Sequence, residues 1–523
     1  MWNTERESAM RRGARTSKRE VRKAVRSAES ALNQLAPQVL DNPYPPLCPL
    51  TSEQLEEIHN ASMTVLESLG IEVTSDRVRT MFQSLGGSVD ETTQIVRIDR
   101  ETIMALIAKA PHHFTLTPRN AANKLVIGGR RINCGLVSGP PNVHDRINGR
   151  RAGNFLDYQR LIKLGQTFNV INFFGNQCIA PTDLPANTRH LDTYRENIML
   201  SDKVFSAVPI GKGRVQDAVR MIALSRGMTT SELSEDPSLF GNININSPRK
   251  LDDAMSDAAL ELAHYGQAVI VTPFTLLGAM TPVTLAAGLV QQNAEALFGL
   301  AMIQAFCPGA PVVYGGFTSN VDMRSGAPAF GTPENAKANL AGGQLARRYG
   351  LPYRTSGCNA SNTTDAQAVY ETQMSMWSAV LGHGNLIYHA AGWLEGGLVA
   401  SFEKLIIDVE MLQNLISMLS PIQTSEEELA IDAMKAVSPG GHFFGTDHTM
   451  ARYETAFYTP LVSDWQNNEN WQAAGGKDAT ERATALWQQA IETFEAPLID
   501  GARREAVDEY VARRKMEIGS SEP

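Results

Sequence analysis

The chain has five cysteines, at positions 48, 134, 178, 307 and 358, and no C-x-x-C pair among them. An odd, scattered set excludes a disulfide framework, zinc-ribbon spacing and iron–sulfur runs. It suits a reducing compartment, so a cytoplasmic location is expected. H-E-x-x-H, G-x-G-x-x-G and Walker loops are also missing, which argues against zinc hydrolysis, dinucleotide binding and P-loop chemistry. Ala268–Val290 lacks any charge, yet Pro273, Pro282, four threonines and two glycines interrupt it. It reads as a buried strand, a loop and an apolar helix, and no membrane span is expected.

Positive charge is scarce except at the start. Residues 1–30 carry a net +5 and the whole chain −9, which leaves −14 on the remainder. A basic arm on an acidic body is no nucleic-acid footprint, because no basic surface follows in the folded part. The arm also lacks the apolar core of a secretory signal. Residues 1–45 are read as a basic, disordered arm and Pro-rich linker. Residues 46–128 are read as a helical N-terminal layer, opened by Ser52 as N-cap of a helix with the stripe Leu55, Ile58, Met63, Leu66 and Leu69.

Between 129 and 420 the rhythm changes. Short apolar runs at Ile132–Val137, Val170–Phe174, Val204–Val208, Asn242–Asn246, Ala268–Thr272, Pro311–Tyr314, Tyr353–Ser356 and Asn385–His389 alternate with helical stretches. Eight βα units in strict order predict an α/β fold, a TIM (β/α)8 barrel. Residues 421–523 leave the alternation, and their amphipathic helices predict a C-terminal extension that wraps the barrel or a neighbouring subunit; a homo-oligomer is expected.

In such a barrel the reacting groups stand at the carboxyl ends of the strands. Those ends are rich in glycine, amides and aromatics, with one histidine and no cluster of Asp, Glu or Lys. Metal-assisted hydrolysis and Schiff-base chemistry are therefore disfavoured. An aromatic, amide-lined mouth suits a cationic or zwitterionic ligand held by cation–π contact, and Phe174, Phe274, Phe317 and Trp393 are the rings nearest strand ends. His389 closes the eighth strand; if it points inward, alternation sends Tyr388 toward the outer helices. A core histidine satisfied by backbone is the plainer reading, but the strand-end placement favours function. Asp145, in a hairpin-like turn after the first strand, reads by composition as closing an Asx-turn.

Ordered segments then carry a resemblance: Ser138-Gly-Pro-Pro-Asn-Val-His-Asp145, Pro181-Thr-Asp-Leu-Pro185, Gly278-Ala-Met-Thr-Pro282, Pro311-Val-Val-Tyr-Gly-Gly316, Asp365-Ala-Gln-Ala368, His389-Ala-Ala-Gly392 and Ala473-Ala-Gly-Gly-Lys-Asp478. With Leu50-Thr-Ser-Glu-Gln-Leu they span nearly all of residues 47–505, and the chain resembles the trimethylamine/glycine betaine methyltransferase family. The resemblance implies a methyl transfer from an amine to the Co(I) of a corrinoid (cobalamin) held by a separate carrier protein. No D-x-H-x-x-G of the cobalamin-holding kind occurs here, so no cofactor is expected on this chain and no metal site. His389, as catalytic residue, and Asp145 match family positions near the corrinoid. Trimethylamine-specific members carry a pyrrolysine and this sequence has none, which implies the branch acting on quaternary amines such as glycine betaine. Gln177 and Asn246 are candidates to hold a substrate carboxylate. The alternatives are a catalytically inactive betaine-binding or regulatory barrel, and a methyltransferase for another methylated amine such as trimethylamine.

Overall fold

The computed structural model describes residues 32–175 and 177–520. The basic start, residues 1–31, lies outside the described residues. Eight parallel strands form the centre: β1 (Arg131–Leu136), β2 (Phe173–Phe174), β3 (Val204–Phe205), β4 (Phe240–Ile243), β5 (Ala268–Val271), β6 (Val312–Gly315), β7 (Tyr353–Ser356) and β8 (Leu386–Ala391). They pair in the order β3-β2-β1-β8-β7-β6-β5-β4. A parallel bridge between Ser206 and Phe240, with Ala207 N donating to Phe240 O at 2.9 Å, joins the two ends and closes the barrel.

The helices α1 (Phe155–Thr167), α2 (Arg189–Leu200), α3 (Lys212–Arg226), α4 (Asp253–His264), α5 (Leu285–Phe306), α6 (Pro333–Arg348), α7 (Ala366–Leu381) and α8 (Phe402–Met418) follow the strands one for one. Most begin at a side-chain cap, such as Asn154 for α1, Thr332 for α6 and Asp365 for α7, which satisfies an otherwise orphaned first-turn amide. No helix among the described residues is long and apolar enough to cross a membrane; Ala268–Val290 is β5, a mouth strand and the start of α5.

Alternation along each strand sorts the core into two shells. Phe173, Val204, Phe240, Ala268, Ile270, Val313, Leu386 and Tyr388 face inward and form one cluster. Gly135 makes room for it, since a Cβ there would meet the Phe173 ring at 2.3 Å. The hairpin His113–Leu116/Leu125–Gly128 plugs the amino-terminal end, with Leu116, Leu125 and Ile127 joining the same cluster. The barrel is thus filled below and can offer a site only at the carboxyl ends of its strands.

The N-terminal layer is mixed rather than helical. Beside helices Ser52–Thr64, Asp76–Ser84 and Arg100–Ile107 it holds a sheet of Ile71–Val73, Ile95–Arg97 and Ser88–Asp90, joined by Lys250–Leu251 from the barrel. Its first helix is capped by Thr51, one residue before the expected Ser52. Thr51 Oγ1 accepts from Gln54 N while Gln54 Oε1 accepts from Thr51 N, a reciprocal capping box that Ser52 cannot form. The helix then opens into a π-turn at Val65–Leu69, which leaves Leu69 exposed at the end of the expected stripe. Residues 32–45, read from sequence as a loose arm, are a seated strap: Leu40–Asp41 pairs with β1 and Gln34 Nε2 donates to Thr167 O. Near the C-terminus, helix Ala479–Glu492 packs on α8 and α1, and Gly501–Ser520 on α3 and α2. Trp487 Nε1 bonds Glu403, while Tyr510 and Arg514 both donate to Asp217. The extension wraps its own barrel.

Candidate active site

His389 lies near the carboxyl end of β8, which runs on to Ala391, with φ of +56°, a left-handed conformation that costs a non-glycine residue about 1–3 kcal/mol. The register explains it. Ile387 pairs with Cys134 and Ala391 with Leu136, so β8 carries a bulge between them. The expectation that an inward His389 turns Tyr388 outward fails for this reason: Tyr388 faces the lumen, and its ring centroid lies 5.6 Å from that of His389.

His389 Nδ1 accepts from Ser138 N at 3.2 Å, so the neutral ring carries its proton on Nε2. Burial, reinforced by the nearby Arg354 cation, holds this imidazole well below the usual histidine range. The group is a neutral hydrogen-bond donor, not an acid, near neutral pH.

Aromatic rings surround it. Trp393 stands 4.2 Å from His389 between centroids and Phe317 6.0 Å. Phe274 and Phe317 are neighbours because strands Phe274–Leu277 and Phe317–Val321, which prolong β5 and β6, pair in register at those residues, 5.2 Å apart. Phe330 stacks on Phe317 at 5.2 Å and stands edge-on to Trp393. Trp393 is pinned through both ends: its Nε1 donates to Asn359 O, and Asn359 Nδ2 donates to its carbonyl. Beneath it, Gly392 N donates to Asp408 Oδ2 at 2.8 Å, and Asp408 is paired with Lys404 inside α8.

Three of the four expected cage rings, Phe274, Phe317 and Trp393, therefore meet at one place with His389. Phe174 does not. On the two-residue strand β2 it is Phe173 that turns inward, and Phe174 packs outward against α1, where a Cβ on Gly165 would touch its ring at 2.4 Å. The side chains of Gln177 and Asn246 are also engaged by other partners. Gln177 Nε2 donates to Thr193 Oγ1 of α2, and Asn246 is exposed, its amide bound to Asp252 Oδ2. Each amide is consumed by a local partner, so neither is presented to the rings. Asp145 is buried in the strand Asn142–Asp145. It accepts from the amides of Ile147 and Asn148 and pairs with Arg151 at 2.6 Å, which holds its carboxyl below the usual range despite burial. That sheet reaches the mouth through Val399–Ser401, the strand that pairs with Trp393–Leu394. Sequence reasoning missed Phe330, Arg354, Ser356 and Tyr388. Only the alternation of β7, read inward from Arg354, could have signalled two of them.

The fold and the mouth together define the class: a (β/α)8-barrel enzyme whose site is walled by aromatic rings around a neutral histidine. The chain belongs to the trimethylamine methyltransferase (MTTB) family, which matches residues 11–519, and it is a methyltransferase. It is 35% identical to the glycine betaine methyltransferase of Desulfitobacterium hafniense strain Y51, over 90% of this chain and 98% of that one. A trimethylamine methyltransferase from D. hafniense strain DSM 10664 / DCB-2 is 30% identical over 86% and 90% of the two chains. The monomethylamine methyltransferase of Methanosarcina barkeri aligns over 85% of this chain and 93% of its own, with a TM-score of 0.47 and 9% identity; the barrel here rests on its own strand order.

Proposed function

We propose that the protein removes a methyl group from a quaternary ammonium compound of the glycine betaine type and passes it to a corrinoid on a separate carrier protein. The observation that carries this reading is the gathering of Phe274, Phe317, Phe330 and Trp393 around His389 at the barrel mouth. Ring faces attract a diffuse N-methylated cation, which sheds its hydration readily, by about 0.5–2 kcal/mol each. The relative named for glycine betaine, at 35% identity, supports the same substrate type.

A quaternary ammonium that loses a methyl leaves as a neutral tertiary amine, so no general acid is required. The rings orient the cation and exclude water from it, which favours attack on carbon by a strong nucleophile. The reduced corrinoid supplies that nucleophile when the carrier is docked. His389 is the residue that would meet it: with Nδ1 engaged by Ser138, Nε2–H is the remaining polar group of the ring. Incubation of the protein with glycine betaine and a reduced corrinoid protein should release dimethylglycine. No demethylated product from any member of a broad panel of methylated amines would overturn the proposal.

A further inference from the structure

Arg354 stands in the middle of β7. Its neighbours Tyr353 and Thr355 turn outward to bond Asn339 of α6, so Arg354 and Ser356 turn into the lumen. Arg354 is 2% exposed, and its guanidinium carbon lies 4.4 Å from the Tyr388 ring centroid and 5.2 Å from that of Phe317. Its Nε and Nη1 have no hydrogen-bond partner, and among the described residues no carboxylate neutralises it. Burial alone pushes its pKa down to about 10, which still leaves it a cation at neutral pH. Ser356 Oγ and the Tyr388 hydroxyl are likewise buried without a partner, and these two residues face each other across the β7–β8 register.

A buried, uncompensated cation is among the costliest features a fold can hold, and native structures satisfy such groups unless a ligand does so. Here a guanidinium and two hydroxyls, donors all, stand beneath the rings. Their complement is an acceptor-only anion, and a carboxylate fits a guanidinium two bonds at a time. The neighbouring charge also selects against a bare cation. An ammonium held at Phe317 would be repelled by Arg354 across a low-dielectric site, unless it brings its own anion to lie between them.

We propose that Arg354, Ser356 and Tyr388 form an anion subsite inside the barrel that receives the substrate's carboxylate, making the enzyme selective for methylated ammonium compounds that carry one. This rests on the amine-methyltransferase reading and narrows it: the rings take one end of a zwitterion and Arg354 takes the other. Gln177 and Asn246 are replaced in that role.

The test is titration calorimetry of the full chain with glycine betaine and with tetramethylammonium, a cation of the same head without the carboxylate. The wild type should bind glycine betaine roughly 100-fold more tightly than tetramethylammonium, the scale of a bidentate charge-assisted contact. Arg354→Met should weaken glycine betaine by a similar factor and leave tetramethylammonium unchanged or improved. Ser356→Ala and Tyr388→Phe should each weaken only glycine betaine, by several-fold, and they carry the test if Arg354→Met does not fold. Equal affinity of the wild type for both ligands, or undiminished betaine binding in the variants, overturns the anion subsite while leaving the amine methyltransferase intact. Failure of the wild type to bind any methylated ammonium overturns both.

Discussion

The ion pair beneath the mouth gives the sharpest quantitative test. Lys404 and Asp408 sit one turn apart on α8 with side chains 0% and 2% exposed. Lys404 Nζ also donates to Thr372 Oγ1 at 2.9 Å, and Asp408 Oδ2 accepts from Gly392 N at 2.8 Å. Burial pushes Lys404 down and Asp408 up, and each charge opposes the shift of the other. Lys404→Met leaves a buried carboxylate with one amide donor, which should cost about 3–5 kcal/mol. The double variant Lys404→Met/Asp408→Leu removes both charges and leaves only the Gly392 amide unpaired, a cost of about 1–3 kcal/mol. The double variant should therefore be more stable than the single one, against additivity. The sign with pH follows. In Lys404→Met the folded-state pKa of Asp408 lies above its unfolded value, so the stabilisation of the protonated form is present at low pH and lost as pH rises through the folded pKa. The deficit of the single variant should thus grow from pH 5 to pH 8. Urea unfolding followed by tryptophan fluorescence measures all three quantities. A single variant within about 1 kcal/mol of wild type would refute the reasoning, as would a double variant that sums two losses. Because Gly392 precedes Trp393, the single variant should also raise KM.

Other consequences are as direct. Trp393→Ala removes one ring from the substrate's cation and should raise KM for glycine betaine up to ~30-fold, at about 2 kcal/mol; because the ring is buried, the same change should cost about 3–5 kcal/mol of stability, and an unchanged KM in the folded variant counts against the aromatic site. Glu295 on α5 is buried and raised to about 7, chiefly by desolvation, despite bonds from Ser247 Oγ, Arg249 N and Gln291 Nε2. Raised above its unfolded value, it adds stability that is present near pH 4.5 and lost as pH climbs through 7. Glu295→Gln should therefore gain on wild type by about 2.5 kcal/mol between pH 5 and pH 8, and parallel stability–pH curves for the two proteins would contradict it. Asp217 accepts from His190, Tyr510 and Arg514, so Asp217→Asn should loosen the last helix. Amide exchange within 501–520 should accelerate while the barrel strands stay protected; unchanged protection would show that apolar packing alone seats the helix.

Much of the architecture is legible in the sequence. Apolar runs of strand length alternating with helical periodicity are a property of local sequence, because each element must bury one face against its neighbours. That pattern placed all eight barrel strands and their helices, and it placed His389 at a strand end. The N-terminal layer was less legible, since strands of three residues such as Ile71–Val73 carry too few positions to show a period.

The side on which a residue emerges was decided only by the tertiary structure. Phe173 and Phe174 are adjacent apolar residues on a strand buried on both faces, so nothing local says which one fills the lumen; Gly135 and Gly165 settle it by leaving room for one ring each. Tyr388 and His389 both reach the site because a bulge in β8 breaks the alternation that would have separated them. Gln177 and Asn246 have suitable chemistry and the wrong neighbours. In the sequence Arg354 is one residue of a short β run, and only closure of the barrel makes it an unpaired cation beneath aromatic rings. Local pattern fixes what each segment becomes, because backbone periodicity is set by nearest neighbours in the chain. Whether a charge is neutralised or an amide already used depends on residues hundreds of positions away, which the chain brings together only when the barrel closes.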